Sequence, residues 1–195
     1  MHWKDFDKSG KATQAKLLYE RMKHAGFICE KSEFHRYDTP TGDLIRKFLY
    51  SEYDADQYTI ELIMTADKQS QQNWFAKLNK QRVEFLILDR YTSSQIVYSL
   101  ANGIKIEWTR SLQKHLIKPS LEIFIDIPVD VSMNRKGKNI TDDKYETNKE
   151  LLTNVRENYK RIFHNRSNGF TVDGMQSVEE VHESIWRIIK HYYNF

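Results

Sequence analysis

The chain has 195 residues, 39% hydrophobic and 13% aromatic, enough for one domain with a sizeable core. A net charge of +3 does not call for a nucleic-acid partner, and no apolar stretch approaches the length of a membrane span, so no nucleic acid and no membrane are expected. One cysteine, Cys29, excludes an internal disulfide framework; with an opening Met1-His2-Trp3-Lys4 that is no signal peptide, it fits a cytoplasmic protein.

Residues 1–6 leave room for only a very short first strand. The stretch Phe6-Asp7-Lys8-Ser9-Gly10-Lys11-Ala12-Thr13-Gln14 then reads as a phosphate-binding loop running into a helix. Small residues leave backbone N–H groups where a triphosphate can lie, Lys11 brings a point charge to the outer phosphates, and the helix aims its positive end at the same anion. Against the pattern G-x-x-x-x-G-K-[ST], Gly10 and Lys11 match; Asp5 holds the first glycine position, Ala12 the hydroxyl position, and a hydroxyl follows at Thr13. By itself this motif equally fits a solvated turn opening an ordinary helix.

The first helix is expected over about 11–25, with Ala15, Leu18, Met22 and Ala25 on one face and Gly26 as its stop. Residues 27–30 read as a short strand, within which Cys29 is a buried inert thiol. The loop at 33–42 is rich in turn formers and carries Phe34, Arg36 and Tyr37 together. A second helix points Leu44, Ile45, Phe48 and Leu49 inward. A longer helical region spans about 55–80 and holds Leu62, Ile63, Ala66, Trp74, Phe75 and Leu78; its polar run at 67–73 fits a solvated face. Residues 83–88 form a nearly continuous apolar run, the mark of a buried parallel strand, ending in Asp89-Arg90-Tyr91. Helices over 93–101 and 104–117 lead to a second buried strand at 121–127 and then to a basic loop, Arg135-Lys136-Gly137-Lys138. Thr147 with Glu150 and Ser177 with Glu180 have capping-box spacing, and 170–173 is the last strand before a helix with Val178, Val181, Ile185 and Ile188 as its apolar stripe.

Alternating strands and helices predict an α/β fold, a doubly wound parallel sheet of about five strands with right-handed crossovers. Ligands of such sheets bind beyond the carboxyl ends of the strands. The loops at Asp7–Lys11 and Phe34–Tyr37 and the pair Asp89-Arg90 all follow strands, so they should meet at one edge. An acid there can hold Mg²⁺ directly or through water, and the adjacent arginine can clamp a phosphoryl group bidentately. Phosphoryl transfer asks for in-line positioning and neutralised charge, which Lys8, Lys11, Arg36, Arg90 and the Arg135–Lys138 loop can supply.

In order and spacing these motifs resemble the thymidylate kinases, nucleoside monophosphate kinases of the phosphate-loop superfamily. Asp7 to Gln14 is similar to their D-x-x-G-K-x-T-Q. Phe34-His35-Arg36-Tyr37 is similar to F-P-R-Y with His35 for Pro, and Ala66-Asp67-Lys68 to A-[DN]-R with Lys68 for Arg. Asp89-Arg90-Tyr91 matches D-R-Y, Ser94-Gln95 with Tyr98 falls where the base is read, and Asp143-Lys144-Tyr145-Glu146 matches the end of a short lid at about 133–146.

The resemblance implies one kinase domain over 1–195 that moves the γ-phosphoryl group of ATP to dTMP with Mg²⁺, as a homodimer. It implies that Ser9, Gly10, Lys11, Ala12 and Thr13 bind the ATP phosphates with Asp7 and Lys8, and that Phe34 stacks on thymine while Lys68 and Gln95 hydrogen-bond its edge. Arg36, Tyr37 and Arg90 would hold the dTMP phosphate, with Ser94 and Tyr145 also at the substrate. Asp7 would meet the 3′-hydroxyl and, with Asp89, the metal. Tyr98 would exclude ribonucleotides, and Lys8 or Arg135 would touch the transferred phosphoryl group. A kinase for another deoxynucleotide, a weakened nucleotide-binding relic and, least favoured by the charge, a nucleic-acid-binding domain are the competing readings.

Overall fold

The computed structural model describes residues 9–135, 143–164 and 166–195. The first strand expected at 1–6, together with Asp5, Asp7, Lys8 and residues 136–142 of the expected lid, lies outside the described residues. In chain order the elements are α1 (Lys11–His24), β1 (Cys29–Glu33), α2 (Pro40–Leu49), α3 (Gln57–Ser70), α4 (Gln72–Lys80) and β2 (Phe85–Asp89). There follow α5 (Thr92–Ala101), α6 (Ile106–Leu112), β3 (Glu122–Asp126), α7 (Val129–Asn134), α8 (Lys149–His164), β4 (Gly169–Asp173) and α9 (Val178–Tyr193).

The four strands described form two parallel pairs. β1 lies on β2 with Cys29 opposite Phe85 and Glu33 opposite Asp89; β3 lies on β4 with Glu122 opposite Gly169 and Asp126 opposite Asp173. Parallel pairing needs crossovers, and helices provide them. Successive strand side chains point to opposite faces. Phe85 and Ile87 accordingly pack in a cluster with Met22 of α1 and Val181, Ile185 and Ile189 of α9, while Leu86 and Leu88 join Phe34, Phe75, Tyr91 and Leu116. On β3, Ile125 belongs to the α1–α9 cluster, whereas Phe124 stacks on Tyr159 of α8 with ring centroids 4.5 Å apart. Helices therefore cover both faces, the α/β arrangement the alternation predicts.

Several local expectations are corrected. Helix α2 begins at Pro40, inside the expected loop: proline at the first helical turn costs no hydrogen bond, and Thr39 Oγ1 accepts from the Gly42 N–H at 3.1 Å. Gly42 has no substitute there, because a Cβ would fall 1.8 Å from the carbonyl oxygen of Arg36. Leu44, expected inward, is exposed, while Ile45, Phe48 and Leu49 are buried. The 55–80 region is two helices meeting at Gln71, and its polar run is only in part a solvated face: Gln69, Ser70 and Asn73 are exposed, but Asp67 and Lys68 are 0% and 1% exposed, whereas Leu62 is 51% exposed. The helix expected over 104–117 shortens to α6, and α7 was not anticipated. Asn148 rather than Thr147 caps the start of α8, its Oδ1 accepting from Leu151 N–H at 3.0 Å while Thr147 donates to Lys144 O. The Ser177–Glu180 box does form, Ser177 Oγ accepting from Glu180 N–H at 3.2 Å and Glu180 Oε2 from Ser177 N–H at 2.9 Å.

Candidate active site

Gly10 precedes α1 with φ 86°, a left-handed conformation that glycine adopts without penalty. Among the described residues no side chain caps α1 and its first turn contains no acid, so the positive end of this 14-residue helix suits an anion. Lys11 Nζ donates to Ser9 Oγ at 2.6 Å, which curls the lysine back over its own loop. Gln14, buried, donates to the carbonyl of Val178 at 2.8 Å and ties this end of α1 to α9.

The two other strand ends lie beside each other. Phe34 N–H donates to Asp89 O at 3.0 Å, extending the β1–β2 pairing by one bond and fixing the Phe34–Tyr37 loop next to Asp89. Arg90 takes φ 61°, so the chain turns sharply from β2 into α5; such a conformation in a non-glycine residue persists only where its surroundings impose it. Its guanidinium carbon stands 5.8 Å from the Tyr98 ring centroid. Asp89 Oδ1 is buried and has no hydrogen-bond partner among the described residues. A buried carboxylate oxygen without a donor is unfavourable unless a cation meets it; the donor set therefore suits a hard divalent ion such as Mg²⁺.

These ends open on a cavity of about 480 Å³. Its wall holds Lys11 and Ala12 from the start of α1, Asp89 and Arg90 from the end of β2, and Phe34, Lys68 and Gln95, with Tyr37, Ser94, Tyr98 and Tyr145. Lys68 Nζ donates to Met64 O at 3.1 Å and sits 5.7 Å from the Phe34 ring centroid. Burial brings its pKa down to about 8, against the opposing charges of Asp67 and Glu61. Phe34 is held by an edge contact to Phe75 and a tilted contact to Tyr91. Tyr145 stacks on Tyr98 at 5.6 Å and donates its hydroxyl to Gln57 Oε1 at 3.1 Å, which holds Asp143, Tyr145 and Glu146 on the cavity wall. Ser94 shares a 2.8 Å hydroxyl contact with Tyr159.

Other expected residues stand elsewhere. Arg36 does not line the cavity; its guanidinium is engaged by Asp38 at 3.0 and 3.1 Å and by Gln71 at 3.4 Å. Ser9, Gly10 and Thr13 are outside this lining, although Ser9 lines the neighbouring cavity with Lys11. Arg135 follows α7, with Nη2 donating to Gly174 O at 3.3 Å in the turn between β4 and α9. Asp7 and Lys8 lie outside the described residues.

Sequence reasoning missed the buried groups that hold this site. Asp67 accepts from His35 Nδ1 at 3.1 Å, Arg36 N–H at 3.2 Å, Thr39 Oγ1 at 3.2 Å and Thr41 Oγ1 at 3.1 Å, so one carboxylate organises the whole Phe34–Thr41 loop. Burial and nearby Lys68 push the His35 pKa down to about 4, against Asp67, so a neutral imidazole donates Nδ1–H to the carboxylate. Met64 lines the cavity one helical turn before Lys68, and the four-residue spacing from a candidate base-reading lysine is the signal that finds it. Nothing local in the sequence marks Glu61, which is 0% exposed.

A model of the thymidylate kinase family matches residues 6–185. The chain belongs to the thymidylate kinase family. It is 32% identical over 190 residues to a probable thymidylate kinase of Pyrococcus abyssi, covering 95% of this chain and 92% of the relative. It is 29% identical over 182 residues to the thymidylate kinase of Plasmodium falciparum, covering 92% and 83%. Among solved structures, that of thymidylate kinase from Candida albicans superposes with a TM-score of 0.81 at 27% identity, over 96% of this chain and 89% of that one. The chain thus has the α/β fold of a nucleotide kinase, and the cavity lies at the strand ends carrying the thymidylate kinase motifs. Among the described residues no helix is long and apolar enough to cross a membrane.

Proposed function

We propose that the chain transfers the γ-phosphoryl group of ATP to the phosphate of dTMP, giving dTDP and ADP. The observation that carries this reading is one cavity lined together by Lys11, the Asp89-Arg90 pair and the group Phe34, Lys68 and Gln95. ATP phosphates follow Ser9, Gly10, Lys11, Ala12 and Thr13 into the amino end of α1, joined by Asp7 and Lys8. dTMP turns its phosphate to Arg90, Tyr37 and Arg36, its ring to Phe34 and its base edge to Lys68 and Gln95, with Ser94 and Tyr145 beside it and Tyr98 against the sugar. Arg36 has to leave Asp38 to do this. That ion pair is two-thirds exposed on the aspartate side, and pairs of that kind are worth about 0–1 kcal/mol, so the rearrangement costs little.

In the transfer, a dTMP phosphate oxygen forms a bond to the γ-phosphorus as the bond from that phosphorus to the β,γ-bridging oxygen breaks, and ADP leaves with the electron pair. The side chains hold two anions in line and offset their charge. Lys11 does so on the donor side, Arg90 on the acceptor side, and Lys8 or Arg135 at the moving group, where a cation is worth on the order of 10³–10⁵ in rate. Asp89 with Asp7 would hold Mg²⁺ or its water shell, and the bound ion would supply further neutralisation of charge.

The finer architecture belongs to the same proposal: one domain over 1–195 with a lid at 133–146 and a doubly wound sheet of about five strands. A homodimer would cover Tyr58 and Leu62, 52% and 51% exposed on α3. The cytoplasm is the expected location.

A coupled assay of ATP consumption over dTMP, dCMP, dGMP and UMP tests the reading. Turnover with dTMP alone is the expected result; ATP binding without turnover of any nucleotide overturns it in favour of a nucleotide-binding relic.

A further inference from the structure

Gln95, 3% exposed and on the wall of the cavity, has its amide committed on both sides. Its Nε2 lies 2.9 Å from Glu61 O, 2.9 Å from Glu61 Oε2 and 2.9 Å from Thr65 Oγ1. Two N–H hydrogens thus already face three acceptors, one of them a main-chain carbonyl that can only accept. On the other side, Gln113 Nε2 donates to Thr92 O at 3.1 Å and to Gln95 Oε1 at 3.2 Å. The Thr92 carbonyl compels Gln113 to present its NH₂ group, and Gln113 in turn compels Gln95 to present its carbonyl. Glu61 is itself braced, Oε1 accepting from Gln57 Nε2 at 3.0 Å. The flip of an amide is set by its partners, and here both ends of the chain of partners are obligate acceptors. The capacity left to Gln95 is the second lone pair of its carbonyl oxygen. Lys68, on the same wall, has an ammonium head and is a donor only.

We infer that Glu61 and Gln113 are positioning residues: they lock the Gln95 amide as a hydrogen-bond acceptor on the cavity wall that also carries the Lys68 donor, and the preference for thymine over cytosine that the proposed reaction requires depends on that lock. This rests on the reading in which Gln95 and Lys68 meet the base edge. Thymine and uracil offer an N–H to the Gln95 carbonyl and a keto oxygen to Lys68. Cytosine offers a lone pair at N3 to a lone pair and an amino group to an ammonium, so both contacts are mismatched. Sites that hydrogen-bond a substrate group discriminate by large factors, because the wrong partner leaves buried polar atoms unpaired.

The test compares kcat/KM for dTMP and dCMP in the unaltered protein and in Gln113→Leu, Glu61→Gln and Gln95→Leu, with melting curves to establish folding. The unaltered protein is expected to favour dTMP by roughly 10³ or more. Gln113→Leu frees the Gln95 carbonyl, and Glu61→Gln replaces an obligate acceptor by a group that also donates. Each should lower the dTMP:dCMP ratio at least tenfold, mainly by raising KM for dTMP while saturated kcat stays within about twofold. Both variants folded with an unchanged ratio, while Gln95→Leu collapses it, overturns the positioning role alone. A ratio unchanged in Gln95→Leu overturns the underlying reading of Gln95. Should the variants not fold, calorimetry on the unaltered protein with N3-methyl-dTMP decides: binding at least tenfold weaker than dTMP is expected, and equal affinity overturns the inference.

Discussion

Lys68 holds its ammonium group at 1% exposure, with one hydrogen bond to Met64 O and the carboxylates of Asp67 and Glu61 as its electrostatic support. Burial outweighs that support and brings its pKa from 10.5 to about 8. Between pH 8 and 10.5 the unfolded chain therefore binds this proton more firmly than the native one, so stability rises with pH across that window and the penalty is fully present below pH 8. A difference of two and a half units corresponds to roughly 3 kcal/mol. Lys68→Met keeps the length of the side chain and removes the charge. The variant should be more stable than the unaltered protein by up to roughly 3 kcal/mol at pH 7, and by only about 1 kcal/mol at pH 10, where the native lysine is already neutral. Its affinity for dTMP should fall about tenfold to a hundredfold, the loss of one charged donor to the base being worth about 1.5–3 kcal/mol. Urea denaturation at the two pH values, at constant m, reads the first effect and titration calorimetry the second. A variant less stable than the unaltered protein at pH 7, or a difference identical at pH 7 and pH 10, would refute the reasoning.

Asp89→Asn should lower kcat by on the order of 10² or more while leaving KM for dTMP nearly unchanged, because it removes the carboxylate proposed for the metal and not a base contact; steady-state kinetics with unchanged kcat removes that role. His35, with a native pKa of about 4 against 6.5, takes up its proton first in the unfolded chain, so stability should drop by roughly 3 kcal/mol as pH falls from 6.5 to 4. His35→Gln should flatten that part of the curve, and equal pH dependence in the two proteins by urea denaturation counts against it. Ser177→Ala breaks the capping box of α9 and should cost about 1 kcal/mol, seen by circular dichroism as a melting point lower by roughly 2–4 °C; an unshifted melting point counts against the cap.

Much of this protein is written locally. The nearly continuous apolar runs ending at Asp89 and at Asp126 are the mark of parallel strands, and both are parallel strands in the structure, half-buried except for Ile125 among the described residues. The Ser177–Glu180 box, the glycine that opens α1 and the order of the strand-terminal motifs depend on residues a few positions apart, so they were legible before any packing was known. What the tertiary structure alone decided is which polar groups lie inside. Asp67 and Lys68 read as surface because charge usually is, yet they are buried, because the Phe34–Thr41 loop brings four donors to Asp67 from 26 to 32 positions away. Glu61, Gln95 and Gln113 stand on three different helices or helix ends, and only their packing converts two ordinary amides and an acid into one oriented acceptor. Strand and helix patterns follow from burial summed along a segment, which the order of residues encodes directly. The direction of a single buried hydrogen bond depends on partners that folding brings together from afar.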